Sequence, residues 1–282
     1  MQFAKVPAAL DFVDIVHLTN AAVRYDACSL LTVYMEKWLA PYRGRLLSPG
    51  YEEWLFVAHH FEYKTEYAEL AMHLAMNCRM DSAGEGLVAP GASDALAGKI
   101  PVDTLTQIYE SRKLIISKIL KGAYDLWASM SRGSCKVTCE GDPDAQRSCA
   151  ALNLIVLTNY LRELGLFPML GTETGLERSP KQLATELSGT RAAMRIAETV
   201  SMGRRGSAPK PADHVRCHVG LQLKSITCRV LEDVSWPMEI PTTGRDKNEG
   251  GAASIPNADI GNPRRRGKCW GFWKKTNVVN EG

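Results

Sequence analysis

Residues 103–130, DTLTQIYESRKLIISKILKGAYDLWASM, decide the fold class. Leu105, Ile108, Ile115, Ile119, Ala123, Leu126 and Met130 recur at three- and four-residue steps along this stretch, the signature of one long amphipathic helix. Asp103 is placed to cap its N-terminus. Arg112 is the only charge on the stripe, and its long stem is expected to carry the guanidinium out to the helix edge.

Working outward toward the N-terminus, Phe12, Ile15, Val16, Thr19, Ala22 and Val23 predict a helix from about residue 8 to 25. In SLLTVYMEKWLAPY (29–42), Leu31, Tyr34, Met35 and Trp38 share a helical face, and Pro41 is expected to stop that helix by clashing with its preceding turn. After the Ser48-Pro49-Gly50 turn, Trp54, Val57, Ala58 and Phe61 form another stripe. Tyr67, Leu70, Ala71 and Leu74 continue it beyond a Thr65 cap. These make a four-helix block over residues 1–80. The next stretch, DSAGEGLVAPGASDALAGKI (81–100), is rich in Gly, Ala, Ser and Asp and reads as a linker.

Toward the C-terminus, Leu154, Leu157, Leu161 and Leu164 mark a helix that Gly165 and Pro168 should end, because Gly tolerates the left-handed conformation past a helix end. Ser179-Pro180 opens another by N-cap and first-turn preference, and His214 to Glu232 is a fourth, shorter one. Residues 101–240 thus form a second α-helical region. Residues 241–282 turn to Gly, Asn, Thr and Arg without a stripe, the composition of a disordered basic and aromatic tail. Convincing period-two alternation and solenoid-length repeats are both absent. The fold class is mainly α, two helical blocks with a disordered C-terminal tail, and the core should rest on Trp38, Trp54, Phe61 and Trp127.

At 282 residues the chain is long enough for a real core, and 45% hydrophobic with 23% charged residues is ordinary globular usage. A formal net charge of +3 is too small to imply nucleic acid. Asp11 and Asp14 interrupt the first apolar stretch, which argues against a signal peptide, and no window reaches the roughly 18–20 apolar residues of a membrane span. The eight cysteines are therefore expected in a reducing compartment, cytoplasm or nucleus, packed as free thiols.

Candidate chemistry is thin. Cys135-x3-Cys139 with Cys149, and His214-x2-Cys217 with His218, offer zinc-ligand types, but not the two tight two-residue clips common in zinc sites. His59 and His60 are consecutive and point about 100° apart on a helix, so with His73 they read as rim residues. Gly91-Ala-Ser93-Asp-Ala95 lacks the strand, the helix and the final Gly of a nucleophile elbow. No phosphate loop with a following Lys and no His-Glu-x-x-His pair occurs. The tail run Arg264, Arg265, Arg266, Lys268, Trp270, Phe272, Trp273, Lys274, Lys275 suits an anionic membrane surface or single-stranded nucleic acid, or a solvated chain end. No residue is assigned a catalytic, cofactor-binding or metal-binding role, no cofactor is expected, and the expectation is a non-enzymatic protein. The rival is a zinc-binding regulatory or nucleic-acid-binding protein using these Cys and His positions with the tail.

Three stretches carry a resemblance. KVPAALDFVDIVHLTNAAVRYDACSLLTVYMEKWL (5–39), PGYEEWLFVAHHF (49–61) and EYAELAMHLAMNC (66–78) resemble the helical second half of fungal-type BTB/POZ proteins. The matched features are the turn Arg24-Tyr25-Asp26-Ala27-Cys28, Trp38 in the next helix, and Glu53-Trp54-Leu55 in the third. Further on, Ser111-Arg112-Lys113, the Cys149 helix ending in Leu164-Gly165-Leu166-Phe167-Pro168, and His214-x2-Cys217 extend it over most of residues 1–235. The strand-rich half that carries the usual dimer interface has no counterpart before Val6-Pro7. The resemblance implies an intracellular protein–protein interaction module and ubiquitin-ligase adaptor, with other proteins as partners, a cullin or a second copy among them.

Overall fold

The computed structural model describes residues 6–133, 143–167, 177–189 and 218–234. Its helices are α1 (Phe12–Arg24), α2 (Cys28–Leu39), a 3-10 helix (Ala40–Arg45), α3 (Trp54–His60), α4 (Lys64–Asn77), α5 (Val102–Ser131), α6 (Pro143–Glu163), α7 (Pro180–Ser188) and α8 (Val219–Glu232). Among the described residues the only sheet is an antiparallel pair, β1 (Arg79–Met80) with β2 (Leu87–Val88), in which Arg79 faces Val88. The mainly α reading stands.

Two cores form, and α5 threads both. Phe12, Ile15, Met35, Trp38, Trp54, Leu55, Tyr67, Leu70 and Leu74 pack the first core together with Ile108 from the first half of α5. Ile115, Ile116, Ile119, Leu120, Ala123, Leu126 and Met130 from its second half pack the other with Leu157, Leu161, Leu183, Leu187 and Leu223. Gly122 lets α8 approach closely, since a Cβ there would collide with Ile226.

Arg112 sits where the two cores meet, and it does not snorkel. It is 2% exposed. Its Nε donates to the carbonyl of Cys78 at the end of α4 (3.3 Å), and a terminal nitrogen donates to the carbonyl of Arg178 just before α7 (2.9 Å). The stem is too deep to reach water, so the cation is satisfied by backbone carbonyls instead. Met80 N–H donates to the Glu177 carbonyl beside it (3.0 Å), adding a second tie between the blocks.

Residues 81–100 are packed rather than free. Leu87, Val88, Ala89 and Ile100 are buried, and the Asp81 carboxylate accepts from Glu85 N–H (2.9 Å) to close the β1–β2 turn. Lys99 N–H donates to Glu53 (3.3 Å), and its ammonium lies 3.0 Å from His17 Nδ1. Four well-placed apolar residues suffice to fold a composition that otherwise resembles a linker.

Other local readings shift in detail. Pro101 takes the N-cap position of α5, so Asp103 falls in the first turn and favours the helix through its dipole rather than as a cap. Neighbouring Thr104 is buried and hydrogen-bonds Tyr67 (2.9 Å). Tyr63 precedes α4, placing Thr65 inside it. α2 ends at Leu39, just before Pro41 as expected, and the chain goes on as a 3-10 helix with Pro41 in its first turn, where its missing N–H costs nothing. Ser179 caps α7 as expected, accepting from Gln182 N–H (3.1 Å). Gly165 adopts φ 70°, and Leu166 N–H closes the end of α6 on Leu161 (2.7 Å). The described part of the last predicted helix starts at Val219 with His218 as its cap. Trp38 and Trp54 are core residues, whereas Phe61 and Trp127 are only partly buried. The predicted tail and Pro168 lie outside the described residues.

Replacing Arg112 by Ala should cost about 3–5 kcal/mol, because it opens a cavity and strands carbonyls at the junction. Arg112→Met, which keeps the packing, should lose distinctly less. Urea unfolding followed by circular dichroism reads both; a loss below about 1 kcal/mol for Arg112→Ala would show that the buried cation does not join the blocks.

Candidate interaction surface

The turn between α1 and α2 is built by local chemistry. Asp26 takes φ 50°, its N–H donates to Val23 (3.3 Å), and Ala27 N–H reaches back to Ala22 (2.8 Å). This pair of bonds is a Schellman ending, and Asp is among the few non-glycine residues that tolerate its left-handed position. The chain reverses, and α2 folds back along α1. Trp38 and Tyr42 then pin the N-terminal segment, Trp38 Nε1 donating to Pro7 (3.0 Å) and the Tyr42 hydroxyl to Leu10 (2.9 Å).

Only Met35, Trp38 and Leu39 of α2 are buried. The opposite side is apolar as well, yet Leu30 is 72% and Val33 81% exposed, and Tyr34, stacked on Trp38 at 5.4 Å, is exposed too. Leu30, Val33 and Lys37 follow one another at steps of three and four residues, a single stripe of α2 that faces solvent throughout. Tyr25 at the turn adds an aromatic ring that is 82% exposed. Isolated exposed apolar residues are ordinary, but a helix with apolar residues on two faces and one face open is the form of a contact surface. The sequence pattern pointed to the Leu31, Tyr34, Met35 and Trp38 face and missed the Leu30–Val33 one, although SLLTVY already carries more apolar residues than one stripe can use.

The zinc-ligand types are only partly within view. Cys135, Cys139, His214 and Cys217 lie outside the described residues, as do Arg264 to Lys275. Cys149 is buried on α6. Asn153 donates to its carbonyl (3.0 Å) and lies 3.4 Å from its sulfur, while accepting from Val219 N–H (3.1 Å). That amide joins α6 to the start of α8. His218 Nδ1 accepts from Gly220 N–H (3.0 Å), so its ring caps α8. Among the described residues no group of three or more His, Cys, Asp or Glu could hold a metal ion.

His59 and His60 meet edge to face at 4.9 Å on the rim of the first core, with His59 6.3 Å from Tyr67. His59 Nδ1 is buried without a partner. Burial lowers the pKa of His59 below the usual 6.5, against a weaker upward pull from Asp103. Burial and then His59 lower that of His60. His73 is lowered by burial and then by Lys181, with Glu52 opposing. It lies apart, lining a small cavity with Glu52, Leu70 and Leu74. Ser93 is exposed and donates to the carboxylate of neighbouring Asp94 (3.1 Å).

No family model matches the chain, and neither a curated protein nor a solved structure matches it.

Two predictions follow from these environments. All three histidines resist protonation in the fold, so their contribution to stability should be full above about pH 6.5, where they are neutral in folded and unfolded chains alike, and should fall as pH drops below it. Urea midpoints between pH 7 and 5 read this, and His59→Gln should flatten the slope; an unchanged slope rejects His59 as a contributor. Burial pushes the Cys78 thiol up to about 12 despite the Arg112 charge, whereas Cys28 is partly exposed, its pKa raised by burial and then by Asp26. Brief maleimide treatment with peptide mapping should therefore label Cys28 and leave Cys78 and Cys149 until the protein unfolds.

Proposed function

We propose that this chain is a non-enzymatic protein–protein interaction module, resembling the helical second half of BTB/POZ proteins and serving as a ubiquitin-ligase adaptor in the cytoplasm or nucleus. The observation that carries the interaction reading is the outer face of α2, where Leu30 and Val33 stand in solvent on a helix whose other face is already anchored in the core. Removing two branched apolar side chains from water is worth about 1.5–3 kcal/mol each, which makes the exposed pair a source of affinity. The helix is held by the Schellman turn at one end and by Trp38 at the other, so little ordering entropy opposes binding. The adaptor role and a cullin among the partners rest on the resemblance in residues 5–78. No helix of the described residues is long and apolar enough to cross a membrane, consistent with partners met outside the bilayer.

A photo-crosslinking amino acid in place of Val33, introduced in cells, should give discrete protein adducts, while the same group at exposed Lys121 on α5 should not. Equal labelling at the two positions would reject α2 as a protein-binding face.

A further inference from the structure

The sequence holds two Ser-Pro steps and no Thr-Pro, and the fold treats the two serines in opposite ways. Ser179 is 7% exposed and its hydroxyl is committed, accepting Gln182 N–H as the cap of α7 (3.1 Å). Ser48 is exposed, as are Pro49 and Gly50 after it, in the turn that follows the 3-10 helix. Its backbone is satisfied, the N–H donating to the Arg45 carbonyl (2.9 Å) and the carbonyl accepting from Tyr51 N–H (3.3 Å). Its hydroxyl has no partner among the described residues. We propose that Ser48 is a phosphorylation site for a proline-directed protein kinase and that Arg45 holds the phosphate.

Proline has no N–H, so a kinase groove that offers no acceptor just after the serine selects it over other residues. The residue before a proline also favours extended backbone, the form in which a substrate segment lies across a kinase. Arg45 and Ser48 are three residues apart on a path with three-residue hydrogen bonds, where side chains at that spacing lie over one another. The Arg45 guanidinium bonds the Tyr51 hydroxyl (3.2 Å) and no carboxylate among the described residues, so its remaining donors are open to an anion. Arg43, by contrast, is taken up by Glu36 (2.8 Å) and Glu66 (3.5 Å). Glu52 is the opposing charge, lining a small cavity with Ser48 and His73, and one of its oxygens is held by Gly50 N–H (3.1 Å).

In the transfer, Ser48 Oγ bonds to the γ-phosphorus of ATP and the bond from that phosphorus to its bridging oxygen breaks. ADP leaves, and the hydroxyl proton passes to the base of the kinase. The product adds about −1.5 to −2 charge near neutral pH, which cancels the basic character that Arg43 and Arg45 give the stretch between α2 and α3.

The test incubates the folded full chain with ATP and a purified proline-directed kinase and maps phosphate by mass spectrometry. Ser48 should be modified and Ser179 left bare, and Ser48→Ala and Pro49→Ala should each lose most of the incorporation with unchanged circular dichroism. The heat-unfolded chain should take phosphate at both serines, because only the fold protects Ser179. Ser48 left bare in the folded chain, or Ser179 modified there as readily, overturns the site. Phosphorus NMR of the modified chain then reads the clamp. The second ionisation of phosphoserine, ordinarily at about pH 6, should fall by a few tenths of a unit and return in Arg45→Gln. An identical titration in the two chains overturns the part assigned to Arg45.

Discussion

A guanidinium without access to water constrains this fold more than any apolar contact does. Arg112 is placed by its own helix between two cores, and a buried cation must find acceptors or destabilise the fold by several kcal/mol. The acceptors are the carbonyl at the end of α4 and the one that leads into α7. Both are backbone groups at helix boundaries, where carbonyls and turns are available because helical bonding stops. Neither segment can move far without leaving the charge unsatisfied. Burial lowers the Arg112 pKa, but guanidinium begins so high that it stays a cation, and the demand for acceptors persists at any physiological pH.

That junction explains why two blocks behave as one compact unit up to Pro241. α5 supplies the shared axis, with Ile108 on one side of Arg112 and Ile115 on the other. Residues 81–100 pack onto the first core through Leu87, Ala89 and Ile100, held by a side-chain-closed turn and by Glu53. On the far side, Asn153 does for α6 and α8 what Arg112 does for α4 and α7: one polar side chain bridges two elements. With these joints internal, the outer face of α2 is left with apolar side chains that no part of the described chain covers.

Much of this was legible along the chain. The helix positions and the Ser179 and Gly165 boundary signals follow from spacing and from local backbone preference, which neighbours in sequence settle among themselves. The caps at Asp103 and Thr65 were misjudged because several residues near a helix start can serve, and the tertiary path selects which does. The candidate face was legible only as an excess: α2 has more apolar residues than a one-sided helix needs, but periodicity does not say which stripe faces inward.

The amino-acid order by itself determined that this is a helical protein with a long central helix, since those features depend on backbone geometry and on bonds a few residues apart. Tertiary structure alone decided that Arg112 is buried, that residues 81–100 are packed, and that Leu30 and Val33 meet solvent while Met35 and Trp38 do not. Each of these depends on contacts between residues distant in sequence. Burial is a property of what surrounds a side chain, and a one-dimensional pattern does not carry its surroundings.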